Sequence, residues 1–482
     1  MTRGSQHNLG QPMHEHARAK TTVFATLVLA ATLAAAAATA QEDASETPPP
    51  GAAPKDFVLP EKEMRQLDNG LQVTAVQFGS VPKATISVVI SAGNLNEGEQ
   101  TWLADLTGDF LLEGTATRSA EEIAREAAAM GGTVGVTVTE DQTTITGDVL
   151  TEFTPQMVQL LADITRNPKF PPGELERLRR DRLRVLSVAK TQPDQMSLAA
   201  FREAIYGEHP YGRLFPEEGQ LETYDVDAVR GFYDGNFGAK RTHVFVAGKF
   251  DAADTIGAIE KAFADWKAGP EPLVNIPEPA EGKVVVDVIN RPDASQSNIY
   301  LGLPTINPSH EDWIPLQVSN TLLGGFFSSR ITRNIREDKG YTYSPFSTLS
   351  ARYKDGYWAE VAAVTTEVTG PAIQEIVNEI DNLQENPPPA EELEGVKNYS
   401  AGVFVLQNST RGGIINVLSY LDHHDLPESY LTNYVSNVHS VTPEQVSEIA
   451  REYLREEDMT LVVVGDRSQV SEQVAPWIGD KD

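Results

Sequence analysis

Short segments of this chain recur in the same order about 215 residues apart. One such match could arise by chance, but several in one order at nearly constant spacing indicate a duplicated unit. Each copy mixes helical and strand patterns, so the recurrence predicts two homologous α+β domains, each a mainly antiparallel sheet packed with helices. The matches are Leu111-Leu112 with Leu322-Leu323, Arg125-Glu126 with Arg336-Glu337, and residues 244–248 with residues 461–465.

A proline-rich, acidic segment separates the two copies. Residues 268–283 have no apolar periodicity, which is typical of an interdomain linker. The predicted N-terminal domain therefore spans residues 56–267 and the C-terminal domain residues 284–482. A chain of 482 residues has ample length for two domains of ordinary size.

The N-terminus has the pattern of a secretory signal. Arg18 and Lys20 precede an apolar run from Val23 to Ala38, and Ala38-Thr39-Ala40 forms a small-x-small cleavage site. Residues 1–40 are therefore predicted to be a signal peptide that starts at Met1 or Met13, and residues 41–55 a disordered spacer. No later segment approaches about 20 apolar residues, so we expect no transmembrane segment after cleavage and a periplasmic location.

The amino-acid composition indicates which classes of partner this chain could bind. Acidic residues outnumber basic ones by 69 to 39, which would repel a nucleic-acid backbone. This field would suit a cationic peptide, although an acidic surface also simply keeps a protein soluble. The chain has no cysteine, so disulfides, thiol nucleophiles and thiolate metal sites are excluded.

Several local elements can be predicted from turn and capping residues. Ser119 with Glu122 forms a capping box for a helix that ends at Gly131-Gly132. A long charged helix is predicted from Glu174 to about Val188, and a hairpin that turns at Asp355-Gly356. Gly324-Gly325 is predicted to be a turn as well.

The segment after that turn carries two hydrogen-bond donors. The pattern predicts a helix from Ser328 to about Asp338, a stop at Gly340, and then a strand. Arg336 on the helix and Tyr343 on the strand could face one cleft and donate to the carbonyl oxygens of an extended peptide. The alternative is an arginine that caps its own helix and a half-buried strand tyrosine.

Residues 103–115, Leu-Ala-Asp-Leu-Thr-Gly-Asp-Phe-Leu-Leu-Glu-Gly-Thr, together with the duplication, resemble the insulinase/pitrilysin superfamily of zinc peptidases, most closely its processing-peptidase branch. The resemblance covers roughly residues 56–475. Catalytic members carry His-x-x-Glu-His here, two zinc ligands and a general base. The matching positions are Asp105, Gly108 and Asp109, and the family's distal glutamate ligand falls near Val185. The resemblance therefore implies a degenerate zinc site and no zinc cofactor in this chain.

Two other groups of residues could be considered as metal ligands. Asp105 and Asp109 share a helix face, but Mg²⁺ or Ca²⁺ needs about six oxygen ligands and no further cluster is visible. An ordinary solvated or N-terminal helix face is the alternative. His423 and His424 are adjacent beside a predicted helix end and point in different directions, so a shared ligand role is not expected.

The resemblance also implies roles for the second half. Related non-catalytic subunits use an arginine and a tyrosine seven residues later to hold substrate, which assigns substrate binding to Arg336 and Tyr343 and, more weakly, to residues 324–326. We expect a clamshell half that pairs with a homologous chain, which would supply zinc and the general base, around an unfolded peptide. The alternatives are a structural or peptide-binding core subunit of a larger complex, and a hydrolase that uses Asp105 and Asp109.

Overall fold

The computed structural model describes residues 55–272 and 284–478. The predicted signal peptide, the spacer apart from its last residue, and most of the linker lie outside these ranges. No helix among the described residues is long and apolar enough to cross a membrane. The strands are β1 Lys62–Gln66, β2 Gln72–Gln77, β3 Lys83–Ile90, β4 Thr133–Val138, β5 Thr143–Leu150, β6 Thr242–Gly248, β7 Val286–Asn290, β8 Gln296–Thr305, β9 Phe346–Arg352, β10 Asp355–Thr365 and β11 Thr460–Gly465.

The helices cover the two sheets. They are α1 Leu103–Leu111, α2 Ala120–Ala129, α3 Thr154–Arg166, α4 Leu175–Ala189, α5 Pro193–Tyr206, α6 Gln220–Thr223, α7 Val226–Asn236, α8 Ala252–Phe263, α9 Trp313–Asn320, α10 Thr369–Glu385, α11 Ala390–Gln407, α12 Arg411–His423, α13 Ser429–Thr432, α14 Tyr434–Ser440, α15 Pro443–Tyr453 and α16 Arg467–Val474. Wider, π-helical turns span Thr321–Gly325 and Thr332–Asp338.

The two sheets share the order of five strands, and β1 is an additional edge strand of the first sheet. The first sheet runs β1-β2-β6-β3-β5-β4 and the second runs β7-β11-β8-β10-β9. In each, one pair of strands is parallel, β2 with β6 and β7 with β11, and the remaining pairs are antiparallel. The predicted α+β class, with mainly antiparallel sheets and helices, is therefore confirmed, and the repeated order accounts for the recurrence in the sequence.

Strands β6 and β11 are buried at every residue, because both faces of each sheet are covered. Helices of the same half pack on one face. The other face receives a helix from the opposite half: α5 packs Phe201 and Ile205 on the second sheet, and α12 packs Ile414 and Leu418 on the first. This reciprocal packing of apolar side chains holds the two halves together.

Two predicted turns are wrong, and both errors have the same physical cause. β9 ends at Arg352 and pairs with Asp355, so the hairpin turns at Tyr353-Lys354. Gly356 lies inside β10, where a Cβ would come within 2.4 Å of a backbone oxygen. Gly324-Gly325 belongs to a π-helical turn, and a Cβ on Gly324 would lie 2.6 Å from Ser347 Oγ. These glycines serve close packing rather than chain reversal.

Other local predictions are confirmed. Ser119 and Glu122 form the reciprocal capping box of α2. Gly131 takes a left-handed φ of 68° just after that helix. The charged helix predicted from Glu174 is α4, which begins one residue later. Helix α5 was not predicted, although its spacing from α12 along the chain fits the recurrence.

Candidate functional site

Helix α1 carries the positions that match the zinc motif, and it lies directly against the edge strand β4. A Cβ on Gly108 would lie only 2.5 Å from Val138 Cγ2. The contact leaves no room for a side chain at position 108 unless the Val138 side chain moves. Glycine also has no group that could act as a general base.

Asp105 and Asp109 both bind Arg182 of α4. The Arg182 Nε and Nη2 atoms donate to the two Asp109 carboxylate oxygens at 2.6 and 2.7 Å, and Nη1 donates to Asp105 Oδ1 at 3.0 Å. Burial lowers the pKa of Arg182, but the hydrogen bonds and charges of the two aspartates outweigh it and leave the pKa above its usual value. The two aspartates are therefore ion-paired within the chain rather than forming the solvated face considered from the sequence.

A second layer of polar contacts fixes the start of α1. The side-chain oxygens of the buried Glu97 accept hydrogen bonds from the backbone N–H groups of Trp102 and Ala104, both at 2.9 Å. Asn94 Nδ2 donates to Asp105 at 2.7 Å and to Glu97 at 3.1 Å. Burial raises the pKa of Glu97 to about 8, against the lowering effect of these hydrogen bonds. Glu97 thus satisfies helix N–H groups that would otherwise have no partner.

These residues do not fit a zinc ion. Neither aspartate position offers an imidazole, both carboxylates already accept from Arg182, and Val185 is an apolar side chain that is 50% exposed. In residues 55–272 and 284–478, no three histidine, aspartate or glutamate side chains converge as metal ligands would. Arg182 lies one helical turn before Val185, and that spacing was the available signal that its guanidinium would face the degenerate site.

Arg336 lies in the second π-helical turn and has no partner of opposite charge among the described residues. Its guanidinium carbon lies 4.1 Å from the centroid of the Phe327 ring, a cation–π arrangement. Its Nη1 atom is buried and makes no hydrogen bond. The arginine therefore does not cap its own helix, and Phe327 is a contact that sequence reasoning missed.

Tyr343 lies in a loop and not in the predicted strand. Gly340 ends the preceding helical turn with a φ of 68°, and β9 begins only at Phe346. Thr342 anchors the loop, because its Oγ1 donates to the carbonyl of Ala363 at 2.7 Å. The Tyr343 side chain is 86% exposed, so the half-buried alternative is wrong. No hydrogen bond joins Tyr343 to Arg336 within the described part of the chain.

Comparison with known sequences identifies the class of this two-sheet fold. Residues 73–215 match the profile described as Insulinase (Peptidase family M16). Residues 223–400 match the profile described as Peptidase M16 inactive domain. The chain therefore belongs to the insulinase family of peptidases, family M16.

Relatives match over most of their length. An uncharacterized zinc protease from Bacillus subtilis, YmxG, is 26% identical over 406 residues, which cover 82% of this chain and 96% of the relative. An uncharacterized zinc protease from Mycobacterium tuberculosis, Rv2782c, is 24% identical over 412 residues, with coverage of 80% and 90%.

Two solved structures share the fold. The peptidase M16 inactive domain from Pseudomonas fluorescens superposes with a TM-score of 0.79 at 22% identity, covering 84% of this chain and 98% of that one. A protease from Helicobacter pylori gives a TM-score of 0.78 at 18% identity, with coverage of 85% and 100%. At these identities the likeness establishes the architecture alone.

Proposed function

We propose that this chain is the non-catalytic, substrate-binding subunit of a zinc metallopeptidase that acts on unfolded peptides. A homologous chain with an intact His-x-x-Glu-His motif would supply zinc and the general base. This chain would supply Arg336 and Tyr343 as donors to the peptide backbone. Its own motif positions, Asp105, Gly108 and Asp109, do not offer the ligands and base that zinc hydrolysis needs.

The observation that carries the proposal is the unsatisfied guanidinium of Arg336. No nitrogen of this guanidinium donates a hydrogen bond to another described residue, so Nε and Nη2, which unlike Nη1 are not fully buried, can donate to a bound peptide. The chain has 69 acidic residues, yet none in its described part pairs with Arg336. Stacking on Phe327 holds the guanidinium in place before a ligand arrives.

The exposure of Tyr343 supports a two-chain arrangement. A phenol that is 86% exposed cannot by itself exclude water from a reacting peptide. A partner that closes over this surface would enclose both donors, as in a clamshell. The tyrosine hydroxyl and the guanidinium could then hold a peptide carbonyl, including one that becomes an oxyanion.

Free sheet edges provide a place for the peptide main chain. Among the described strands, β4 pairs only with β5 and β9 only with β10, so each has an unpaired edge. An extended peptide can add to such an edge through main-chain hydrogen bonds, with loose sequence preference. The acidic surface favours cationic peptides. The leader-like residues 1–40 fit secretion to the periplasm, where such a subunit would meet unfolded peptides.

Reconstitution tests the proposal. The purified chain should not cleave an unstructured cationic peptide alone, and it should do so when mixed with the homologous chain that bears the zinc motif, until a chelator is added. Chelator-sensitive cleavage by the isolated chain would contradict the proposal. Stable recovery of the chain only in a large complex without a zinc-motif partner would instead favour a structural core subunit.

Substitutions of Arg336 and Tyr343 test whether these two residues bind the substrate. Arg336→Ala and Tyr343→Phe should each lower kcat/KM by about tenfold or more, because each removes a hydrogen bond to the substrate. Arg333→Ala is the matched control, since Arg333 is exposed in the same π-helical turn. Full activity of both Arg336→Ala and Tyr343→Phe would rule out the proposed role.

A further inference from the structure

A cavity of about 190 Å³ lies at one end of the first sheet, far along the chain from Arg336. Strand β6 supplies Thr242 and His243 to its wall, just after Arg241, and the C-terminal end of α12 supplies Asp422 and His423. Both halves of the chain therefore build this cavity. Its volume is below the range of about 300–1,000 Å³ typical of sites for drug-sized ligands, so it suits a smaller molecule.

Arg241 is a buried cation without a counter-charge on this wall. The residue is 7% exposed. Its Nε donates to the carbonyl of Glu271 at 2.9 Å and its Nη1 to Asn236 Oδ1 at 3.1 Å, and both acceptors are uncharged. Burial lowers its pKa, and no carboxylate of the described residues forms an ion pair with it. Burying an unpaired charge is costly, so a ligand anion at this guanidinium would be stabilising.

Asp425 is an unpaired anion on the same cavity. It is exposed and follows the end of α12 with a left-handed φ of 53°. Its carboxylate forms no hydrogen bond or ion pair with a described residue, whereas its backbone N–H donates to the Asp422 carbonyl. The carbonyl end of a helix also favours positive charge. This side of the cavity therefore suits a cation.

The remaining charged groups of the wall are already paired. His243 Nδ1 lies 3.1 Å from Asp422 Oδ2, and His423 Nε2 lies 3.2 Å from Asp141 Oδ2. Lys240 forms an ion pair with Glu271. The two charges of this wall that lack an ion-pair partner among the described residues, Arg241 and Asp425, are thus of opposite sign, and they do not pair with each other. Three carboxylates on the wall also disfavour a dianion such as phosphate.

We infer that this cavity binds a zwitterion of amino-acid or dipeptide size, with its carboxylate on Arg241 and its ammonium at Asp425. A dipeptide separates its two charges by one more peptide unit than an amino acid does, and Arg241 and Asp425 come from different halves of the chain. The inference goes beyond the proposed peptidase role and needs no partner chain.

Calorimetry on the isolated chain tests the inference, with glycylglycine as the zwitterion, acetate as the carboxylate alone and methylammonium as the cation alone. The buffer should itself be neither zwitterionic nor a carboxylate. Glycylglycine should bind at one site per chain, and more tightly than either single-charge probe. Absence of glycylglycine binding at millimolar concentration, or equal binding of acetate, would overturn the inference.

Two substitutions test whether Arg241 and Asp425 form the binding site. Arg241→Gln and Asp425→Asn should each weaken glycylglycine binding by about tenfold, the loss expected for a hydrogen bond to a charged group. Asn tolerates the left-handed backbone at position 425, so Asp425→Asn should fold even if Arg241→Gln does not. The control is Asp227→Asn, an exposed aspartate on α7 outside the cavity. Unchanged binding by Asp425→Asn would overturn the inference.

Discussion

The two halves of this chain share a strand order and differ in how their polar side chains are satisfied. In the first half, Arg182 fills the space between Asp105 and Asp109, so three charges are paired within the chain. In the second half, Arg336 keeps a buried donor without an acceptor among the described residues, and Tyr343 is exposed. The charged side chains of the first-half site are thus paired within the chain, whereas the two donors of the second half remain without a hydrogen-bond partner among the described residues, which is the contrast that the proposed function requires.

The largest expected effect on stability comes from placing a glutamate at position 108, which packs against Val138. Gly108→Glu should destabilise the protein by about 3 kcal/mol or more, because the side chain must displace Val138 and bury a carboxylate. Urea denaturation measures the change, with Gly108→Ala as the smaller step. In an open site the same substitution would stabilise α1 through helix propensity, and such a gain would contradict the closed packing.

Removing the internal cation should have the next largest effect. Arg182→Ala should cost about 2–3 kcal/mol of unfolding free energy, since it leaves two half-buried carboxylates side by side. The control position is Arg184, on the same helix, with its side chain 76% exposed. Arg184→Ala should change stability by less than about 0.5 kcal/mol, as surface substitutions usually do. Equal effects of the two substitutions would mean that the Arg182 pairs are not structural.

The pH dependence of stability should locate Glu97 in the same network. Its folded pKa, about 8, lies above the unfolded value of 4.5, so the folded state holds an extra proton between these values. The contribution of Glu97 to the unfolding free energy is therefore at its full value below pH 4.5, and it is lost as the pH rises through 8. Wild type should therefore lose more unfolding free energy than Glu97→Gln between pH 5 and 8, by up to about 1.4 kcal/mol per pH unit. Parallel pH curves would disprove this assignment.

The smallest effect on stability is expected at Arg336. Arg336→Met keeps a side chain that can pack on Phe327 and removes the unsatisfied Nη1 donor. Stability should stay within about 0.5 kcal/mol of wild type or rise, which is the opposite of the result at Arg182. A loss as large as that of Arg182→Ala would show that Arg336 is structural and remove the contrast between the halves.

The architecture could be predicted well because the recurrence reflects strand order, which repeats in the two sheets. The capping box at Ser119 is also local, since both partners lie within one helical turn. The Arg182 pairs could not be predicted in this way, because they join helices that are distant in the sequence. The Tyr343 loop was missed for a similar reason: a tertiary bond from Thr342 fixes it, and the alternating pattern resembles a strand.

The division between the halves is tested by the affinity of the isolated chain for an unstructured cationic peptide, measured by fluorescence anisotropy without zinc or a partner. Arg336→Ala should weaken binding by about tenfold at unchanged stability. Arg182→Ala should bind as wild type does at a temperature where it is folded. Unchanged affinity in Arg336→Ala, or an equal loss in Arg182→Ala, would contradict the assignment of peptide binding to the second half.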